Sequence, residues 1–204
     1  MSVANGGARI VVISGPSGVG KSTVRNRLMN TQLFIRSISC TTRPPRGKEQ
    51  DGFDYHFVTV PEFERRRDAG EFLEWARVHD VHYYGTPCRP VLEGLGQGLH
   101  VLLDIDVQGA AQLRERGYPL LTVFLLPPSF ELLRQRLENR RDTPAAEIER
   151  RLQTARVELA HAERYDLQVV NDDLEAVVQK ILTCLAASVP EGALNRPPAG
   201  RQGT

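Results

Sequence analysis

Gly15-Pro16-Ser17-Gly18-Val19-Gly20-Lys21-Ser22-Thr23 is the stretch on which the reading of this chain turns. It matches G-x-x-x-x-G-K-[ST] at every fixed position, and the apolar run before it, Arg9-Ile10-Val11-Val12-Ile13-Ser14, reads as a buried parallel strand. Strand, glycine loop and helix in that order give the motif its meaning. Backbone N–H groups at a helix start form an anion-binding concavity, and glycines admit phosphate oxygens where a Cβ would stand in the way. In that arrangement Lys21 reaches the terminal phosphates of a nucleoside triphosphate, and the Ser22 hydroxyl is placed to bind magnesium. A glycine turn that happens to carry Lys-Ser is the alternative, and the flanking strand and helix speak against it.

With 204 residues, the chain holds enough sequence for one substantial core but not for two full domains. Its 41% apolar and 25% charged residues are those of an ordinary globular protein. A net charge of +1 gives no electrostatic argument for a nucleic-acid or membrane partner, so any cluster of arginines needs a local explanation. No apolar run approaches the roughly 18 residues of a membrane span, and Met1-Ser2-Val3-Ala4-Asn5-Gly6-Gly7 lacks a hydrophobic signal region. A cytoplasmic location is therefore expected. Cys40, Cys88 and Cys184 are widely spaced and odd in number, which fits reduced thiols and gives no zinc pattern.

Outward from the glycine loop, Lys21 to about Asn30 has helical spacing, and Phe34 to Cys40 reads as a short strand. Thr41 to Gly52, with two prolines and two glycines, is a loop. Strands are expected at Phe53 to Val60, Phe72 to Val78 and around Tyr83-Tyr84, with a helix from Pro61 to Ala69. After Gly98 the pattern alternates: strand Val101 to Ile105, helix Val107 to Arg116, strand Leu121 to Leu126, and a helix from Ser129 to about Asn139 capped by Ser129. A polar stretch at Arg140 to Thr143, a helix from Pro144 to about Ala160, a strand at Leu167 to Val170 and a helix from Leu174 to Ala187 follow. Residues 1–8 and 190–204 read as disordered tails. Buried strands alternating with helices imply an α/β protein whose parallel sheet is covered on both faces, interrupted by a β-rich insertion at 34–84.

Asp104 ends an apolar strand, at the edge where parallel sheets bind ligands. An acid there is placed to hold magnesium through a water, or else to cap the next helix, a task Asp106 could take instead. In Arg43-Pro44-Pro45-Arg46 an extended backbone with three residues per turn sends both guanidinium groups out on one side, about 9 Å apart at Cα. Two such forks suit one phosphate dianion, with Tyr55 and Tyr84 able to add hydroxyl donors; a solvated basic loop is the alternative. Arg134, Arg136, Arg140, Arg141, Arg150 and Arg151 flank a short turn between two helices. Among Glu138, Glu147 and Glu149 they form either a salt-bridged surface or a mobile lid that brings charge to a moving phosphoryl group. A loop for one nucleotide's phosphates plus an arginine pair for another phosphate implies transfer between two phosphorylated substrates. A phosphomonoester is largely dianionic at pH 7, so the acceptor needs no general base.

The chain resembles the guanylate kinases from about Arg9 to Ala187. Besides the glycine loop, the resemblance rests on Ser39-Cys40-Thr41-Thr42-Arg43-Pro44-Pro45-Arg46, Asp54-Tyr55-His56-Phe57-Val58, Phe72-Leu73-Glu74-Trp75, Tyr83-Tyr84-Gly85-Thr86, Leu103-Asp104-Ile105-Asp106-Val107-Gln108-Gly109 and Val170-Asn171-Asp172-Asp173. It implies the P-loop nucleoside monophosphate kinase fold: a core at 9–33, 87–138 and 160–187, a GMP-binding insertion at 34–86, and a helical lid at about 139–159. It further implies transfer of the ATP γ-phosphoryl group to GMP with Mg2+ as cofactor. By the resemblance, Arg43, Arg46, Tyr55 and Tyr84 hold the GMP phosphate, Glu49 keeps the position of the family's acid beside them, and Ser39, Glu74, Thr86 and Asp106 surround guanine. ATP then lies on Gly15 to Thr23 with Asn171 near adenine, Ser22 and Asp104 serve the metal, and Lys21, Arg43, Arg140 and Arg151 carry the catalytic charge. Guanine's N1–H and N2–H donors suit one carboxylate, whereas adenine would leave Glu74 unpartnered. The chain departs from the family pattern at Gly47-Lys48, by an added residue within Val78 to His82, and in the lid turn Arg140-Arg141-Asp142-Thr143. Two alternatives stand beside this expectation: a related kinase acting on a ribose bisphosphate, and a non-catalytic guanylate-kinase-like module that binds phosphorylated peptide.

Overall fold

The computed structural model of the chain describes residues 7–78, 81–105, 107–139 and 145–187. In chain order the elements are β1 (Ile10–Ser14), α1 (Lys21–Met29), β2 (Phe34–Arg36), β3 (Cys40–Thr41), β4 (His56–Phe57), α2 (Val60–Asp68), β5 (Phe72–Val78), β6 (His82–Pro87), α3 (Cys88–Gly96), β7 (His100–Leu103), α4 (Val107–Glu115), β8 (Leu120–Leu126), α5 (Phe130–Glu138), α6 (Ala145–Leu159), β9 (Leu167–Val170) and α7 (Leu174–Ala187). The larger sheet runs β2-β7-β1-β8-β9, and every neighbouring pair in it is parallel. Successive side chains of a strand point to opposite faces. Val11 and Ile13 accordingly join Leu28 of α1 and Ile181 of α7, whereas Ile10 and Val12 join Val91 of α3 and Leu113 of α4. Both faces are covered, which is why β1 reads as an unbroken apolar run. The chain leaves β1 for β2, beyond β7, while β8 lies on the other side, and at such a switch an α/β sheet has its ligand crevice.

The smaller sheet runs β4-β3-β6-β5, parallel between β3 and β4 and antiparallel elsewhere. It has its own small core, in which Phe63 of α2 stacks on Phe72 at 4.6 Å and on Tyr83 at 5.2 Å. Leu73 faces the other way and joins the larger core beside Ala110 and Leu113 of α4. The smaller sheet is thereby packed onto the larger body through one strand.

Two expectations from the sequence are corrected, and one further helix is added. The run from Phe34 to Cys40 is two strands rather than one: β2 pairs with β7 in the larger sheet and β3 belongs to the smaller, so the chain changes sheets at Ser37 to Ser39. The strand expected over Phe53 to Val60 shrinks to β4, because Thr59 caps α2 by accepting a hydrogen bond from Glu62 N–H at 3.3 Å. Helix α3 has no clear signal in the sequence, since Pro90, Gly94 and Gly96 all weaken the helical pattern. Packing explains the glycine: a Cβ at Gly94 would sit 3.0 Å from the Val101 Cγ2 and closer still to Ile35, so the helix lies directly on β2 and β7. Among the described residues no helix is long and apolar enough to cross a membrane.

Candidate active site

Gly15, Gly18 and Gly20 all take positive φ, and Gly20, at φ 105, is the N-terminal cap of α1. Only glycine holds that conformation without strain. No side chain caps α1, so its first amides are left facing the crevice. The loop is pinned from outside itself. Asn171 donates to the Val19 carbonyl at 2.7 Å, Arg136 of α5 donates to the same oxygen at 3.3 Å, and Val19 is buried in the core. Lys21 folds back over the loop, its ammonium donating to the Gly15 carbonyl at 2.5 Å and to that of Pro16 at 3.5 Å. Ser22 and Thr23, next along the helix, are exposed.

The far end is made of side chains. Thr86, fully buried and opposite Glu74 across β5 and β6, donates its hydroxyl to Glu74 Oε1 at 2.5 Å. Glu74 is itself only 4% exposed. The two arginines do not leave on one side as an extended turn predicts. Arg43 turns inward to 5% exposure, while Arg46 stays in solvent. Glu49 is the cause: its two oxygens accept from Arg43 Nη1 and Nη2 at 2.9 and 3.0 Å, and one of them also accepts from the Arg46 main-chain N–H at 2.7 Å. The Arg43 hydrogen bonds hold the Glu49 carboxyl below its ordinary range. Arg43 Nε also donates to the Tyr84 hydroxyl at 3.0 Å, and its guanidinium lies 5.4 Å from the Tyr55 ring centre. Burial pushes the Tyr55 phenol up, so it stays a neutral donor. Gly47, at φ 54, supplies the left-handed residue of the altered turn, and Glu49 still reaches Arg43. Ala76 pairs with Tyr84 and Val78 with His82, so β5 and β6 keep one register up to their turn, and residues 79 and 80 lie outside the described residues.

One cleft of about 620 Å³ joins the two ends. Gly15, Ser17 and Lys21 line it from the loop, Ser39, Tyr55, Glu74 and Tyr84 from the smaller sheet, and Asp104 and Gln108 between them. The Arg43 and Arg46 guanidinium groups do not line it, although Tyr55 and Tyr84, which touch Arg43, do. Asp104 is an exposed carboxylate that pairs with Arg25 at 3.4 Å. The Ser22 hydroxyl and the Asp104 carboxylate are oxygen donors of the kind that suit a hard cation keeping most of its waters, and among the described residues no group of three or more His, Cys, Asp or Glu side chains could hold a metal.

Thr154, Val157 and Glu158 also line the cleft, from one face of α6, and were not singled out from the sequence. Their spacing at i, i+3 and i+4 was the available signal. The arginines of α5 and α6 divide. Arg134 pairs with Glu149 between the helices at 2.5 Å, and Arg150 and Arg151 both fold back on Glu147, as the salt-bridged reading expects. Arg136 instead reaches the glycine loop. Asp106, Arg140 and the rest of the lid turn lie outside the described residues.

Comparisons with known proteins bear on the family. A sequence model of the family described as guanylate kinase matches residues 7–188. A guanylate kinase of Gloeobacter violaceus is 48% identical over 187 residues, covering 90% of each chain. One from Nitratidesulfovibrio vulgaris is 48% identical over 173 residues, 84% of this chain and 83% of that one. The crystal structure of guanylate kinase from Anaplasma phagocytophilum superposes with a TM-score of 0.73 at 34% identity, covering 91% of this chain and 88% of that one. A glycine loop and a buried carboxylate facing each other across one cleft, in a sequence this similar along nearly its whole length, place the chain in the guanylate kinase family.

Proposed function

We propose a division of labour inside the cleft for transfer of the ATP γ-phosphoryl group to GMP, the phosphotransfer by which the guanylate kinase family is defined. The observation that carries it is the single cleft lined at one end by Gly15, Ser17 and Lys21 and at the other by Ser39, Glu74, Tyr55 and Tyr84. The ATP phosphates lie on the amides of Gly15 to Thr23, with Asn171 toward adenine. Lys21 leaves its carbonyl partners for the β- and γ-phosphates. Magnesium, when bound, neutralises the phosphate oxygens, and Ser22 together with Asp104 through a water would hold it.

At the other end Tyr55 and Tyr84, backed by Arg43, receive the GMP phosphate, and Arg46 swings in from solvent to join them. Glu49 holds the Arg43 fork in plane. Glu74 takes guanine N1–H and N2–H, and Ser39, Thr86 and Asp106 complete the ring of contacts. An oxygen of the GMP dianion attacks the γ-phosphorus, the bond from that phosphorus to the β-phosphate oxygen breaks, and ADP leaves. No proton has to be removed in the step, so alignment and charge neutralisation do the catalysis, with Arg140 and Arg151 as the lid's contribution. We place the chain in the cytoplasm, a reading supported by its three free cysteines.

The deciding experiment is a panel of nucleoside monophosphates with ATP and magnesium. GMP should be used with a kcat/KM at least about a hundredfold above AMP, since adenine turns a bare N1 acceptor, not the N1–H and N2–H donors of guanine, toward the buried carboxylate. Equal use of AMP would remove the guanine assignment, and no turnover with any of them would remove the transferase.

A further inference from the structure

The carboxylate assigned to guanine stands on a strand whose outer edge is held by a helix. β5 is the last strand of the smaller sheet, and such an edge normally exposes unpaired N–H and C=O groups. Here α4 supplies partners. Gln112 Nε2 donates to the Trp75 carbonyl at 2.8 Å, and its Oε1 accepts from Trp75 N–H at 3.3 Å, the two bonds that a neighbouring strand would make. One turn on, Arg116 donates to the Leu73 carbonyl at 2.5 Å and to that of Phe72 at 3.3 Å. One turn back, Gly109 lies under the carboxylate itself, where an added Cβ would stand 2.5 Å from Glu74 Oε2. The strand is irregular at this point, its register with β6 shifting between Phe72 and Glu74. Helix contacts therefore fall on the part of β5 that its own sheet defines least.

We propose that Gln112 is a positioning residue for guanine selection, fixing the Trp75 backbone and through it the place of the adjoining Glu74 carboxylate, with Gly109 leaving room for that group. The inference rests on the assignment of Glu74 to guanine made above. A base with two donors, N1–H and N2–H, demands a carboxylate in one orientation, whereas hypoxanthine offers N1–H alone. Misplacing Glu74 should then harm GMP more than IMP. ATP, bound on the other side of the cleft, should be unaffected.

The test measures GMP, IMP and ATP kinetics on the full chain with Gln112→Ala, Gln112→Glu, Glu74→Ala and the Gln112→Ala/Glu74→Ala pair. Gln112→Ala should raise the KM for GMP about tenfold and cut the kcat/KM preference for GMP over IMP about fivefold, with the ATP KM within about twofold. Gln112→Glu keeps an oxygen to accept from Trp75 N–H and should recover part of the preference. In the Glu74→Ala background, Gln112→Ala should change the preference no further, because groups acting through one another are not additive. Equal losses for GMP and IMP, or a further loss without Glu74, would mean that Gln112 only supports the fold, and the proposal falls. If Glu74→Ala abolishes the preference and Gln112→Ala spares it, the proposal fails while the guanine assignment stands. If Glu74→Ala keeps the preference, the assignment fails and takes the proposal with it. Gln112→Met, which keeps the side-chain length without either bond, replaces Gln112→Ala if the latter does not fold, with the same outcomes.

Discussion

At the loop end of the cleft, the groups offered to a ligand are main-chain amides of one continuous stretch. At the other end they are side chains brought from β5, β6 and the segments around Ser39 and Tyr55. The helices sharpen the contrast. Thr59 caps α2 and Ser129 caps α5 with hydroxyls, whereas α1 starts at a glycine and no side chain caps its first amides. An end made of backbone tolerates most changes of side chain but depends on φ angles and on its single lysine. An end made of side chains depends on many residues, each shared with a neighbour.

The largest effect should come from the one side chain the loop end cannot do without. Lys21→Ala should lower kcat by about a thousandfold, the upper range for removing one transition-state donor, as read in a coupled ADP assay. Stability should change by no more than about 1 kcal/mol, because Lys21 and Gly15 both line the cleft, where water can take the ammonium's place. Wild-type turnover in that variant would break the comparison at its strongest point. Gly20→Ala attacks the backbone instead: it forces a Cβ onto φ 105 and against the Asn171 amide. Urea unfolding should show a loss of about 2 kcal/mol, with a raised KM for ATP and little change for GMP.

The same contrast explains what was legible in the letters. The glycine loop, β1 and α1 are contiguous, and their chemistry follows from local spacing, so they were read with their bounds nearly right. The place of Asp104 on the cleft was legible because β7 is an apolar strand and this acid directly follows its last residue, Leu103. The smaller sheet was harder, since its strands are short and its register is set by partners distant in sequence, such as Cys40 with Gly85. The inward turn of Arg43 could not be read from Arg-Pro-Pro-Arg, because it is decided by Glu49 across the loop and by Tyr84 on β6. Helix α3 was hidden for the opposite reason: its glycine answers to Ile35 and Val101, not to its own neighbours in the chain.

Within the far end, Glu49 ranks next. Glu49→Ala strands a guanidinium that is 5% exposed and should cost about 2 kcal/mol in urea unfolding, a partly exposed version of breaking a buried pair. The pair also titrates. Arg43 holds the folded-state pKa of Glu49 below the ordinary 4.5, so its stabilisation is complete above about pH 4.5 and is lost as pH falls through the depressed value. The wild-type chain should therefore lose more stability than Glu49→Gln between neutral pH and pH 3, and parallel curves would show that the ion pair contributes nothing.

Arg46→Ala should have the smallest effect on folding and thereby separates the two arginines most cleanly. Among the described residues the Arg46 guanidinium has no hydrogen bond or ion pair, and Glu49 is reached by the Arg46 main chain, which alanine keeps. The change should fall within about 0.5 kcal/mol in urea unfolding. GMP should nevertheless bind about tenfold more weakly, as read from its KM, because one charge-assisted contact to the phosphate is lost. Guanosine, which carries no phosphate, should bind the variant and the parent alike in calorimetry. A matching loss with guanosine would place Arg46 on the base or on the sheet rather than on the phosphate. Arg43→Ala, by contrast, should lower stability and GMP binding together, since that side chain is tied into the fold by Glu49 and Tyr84.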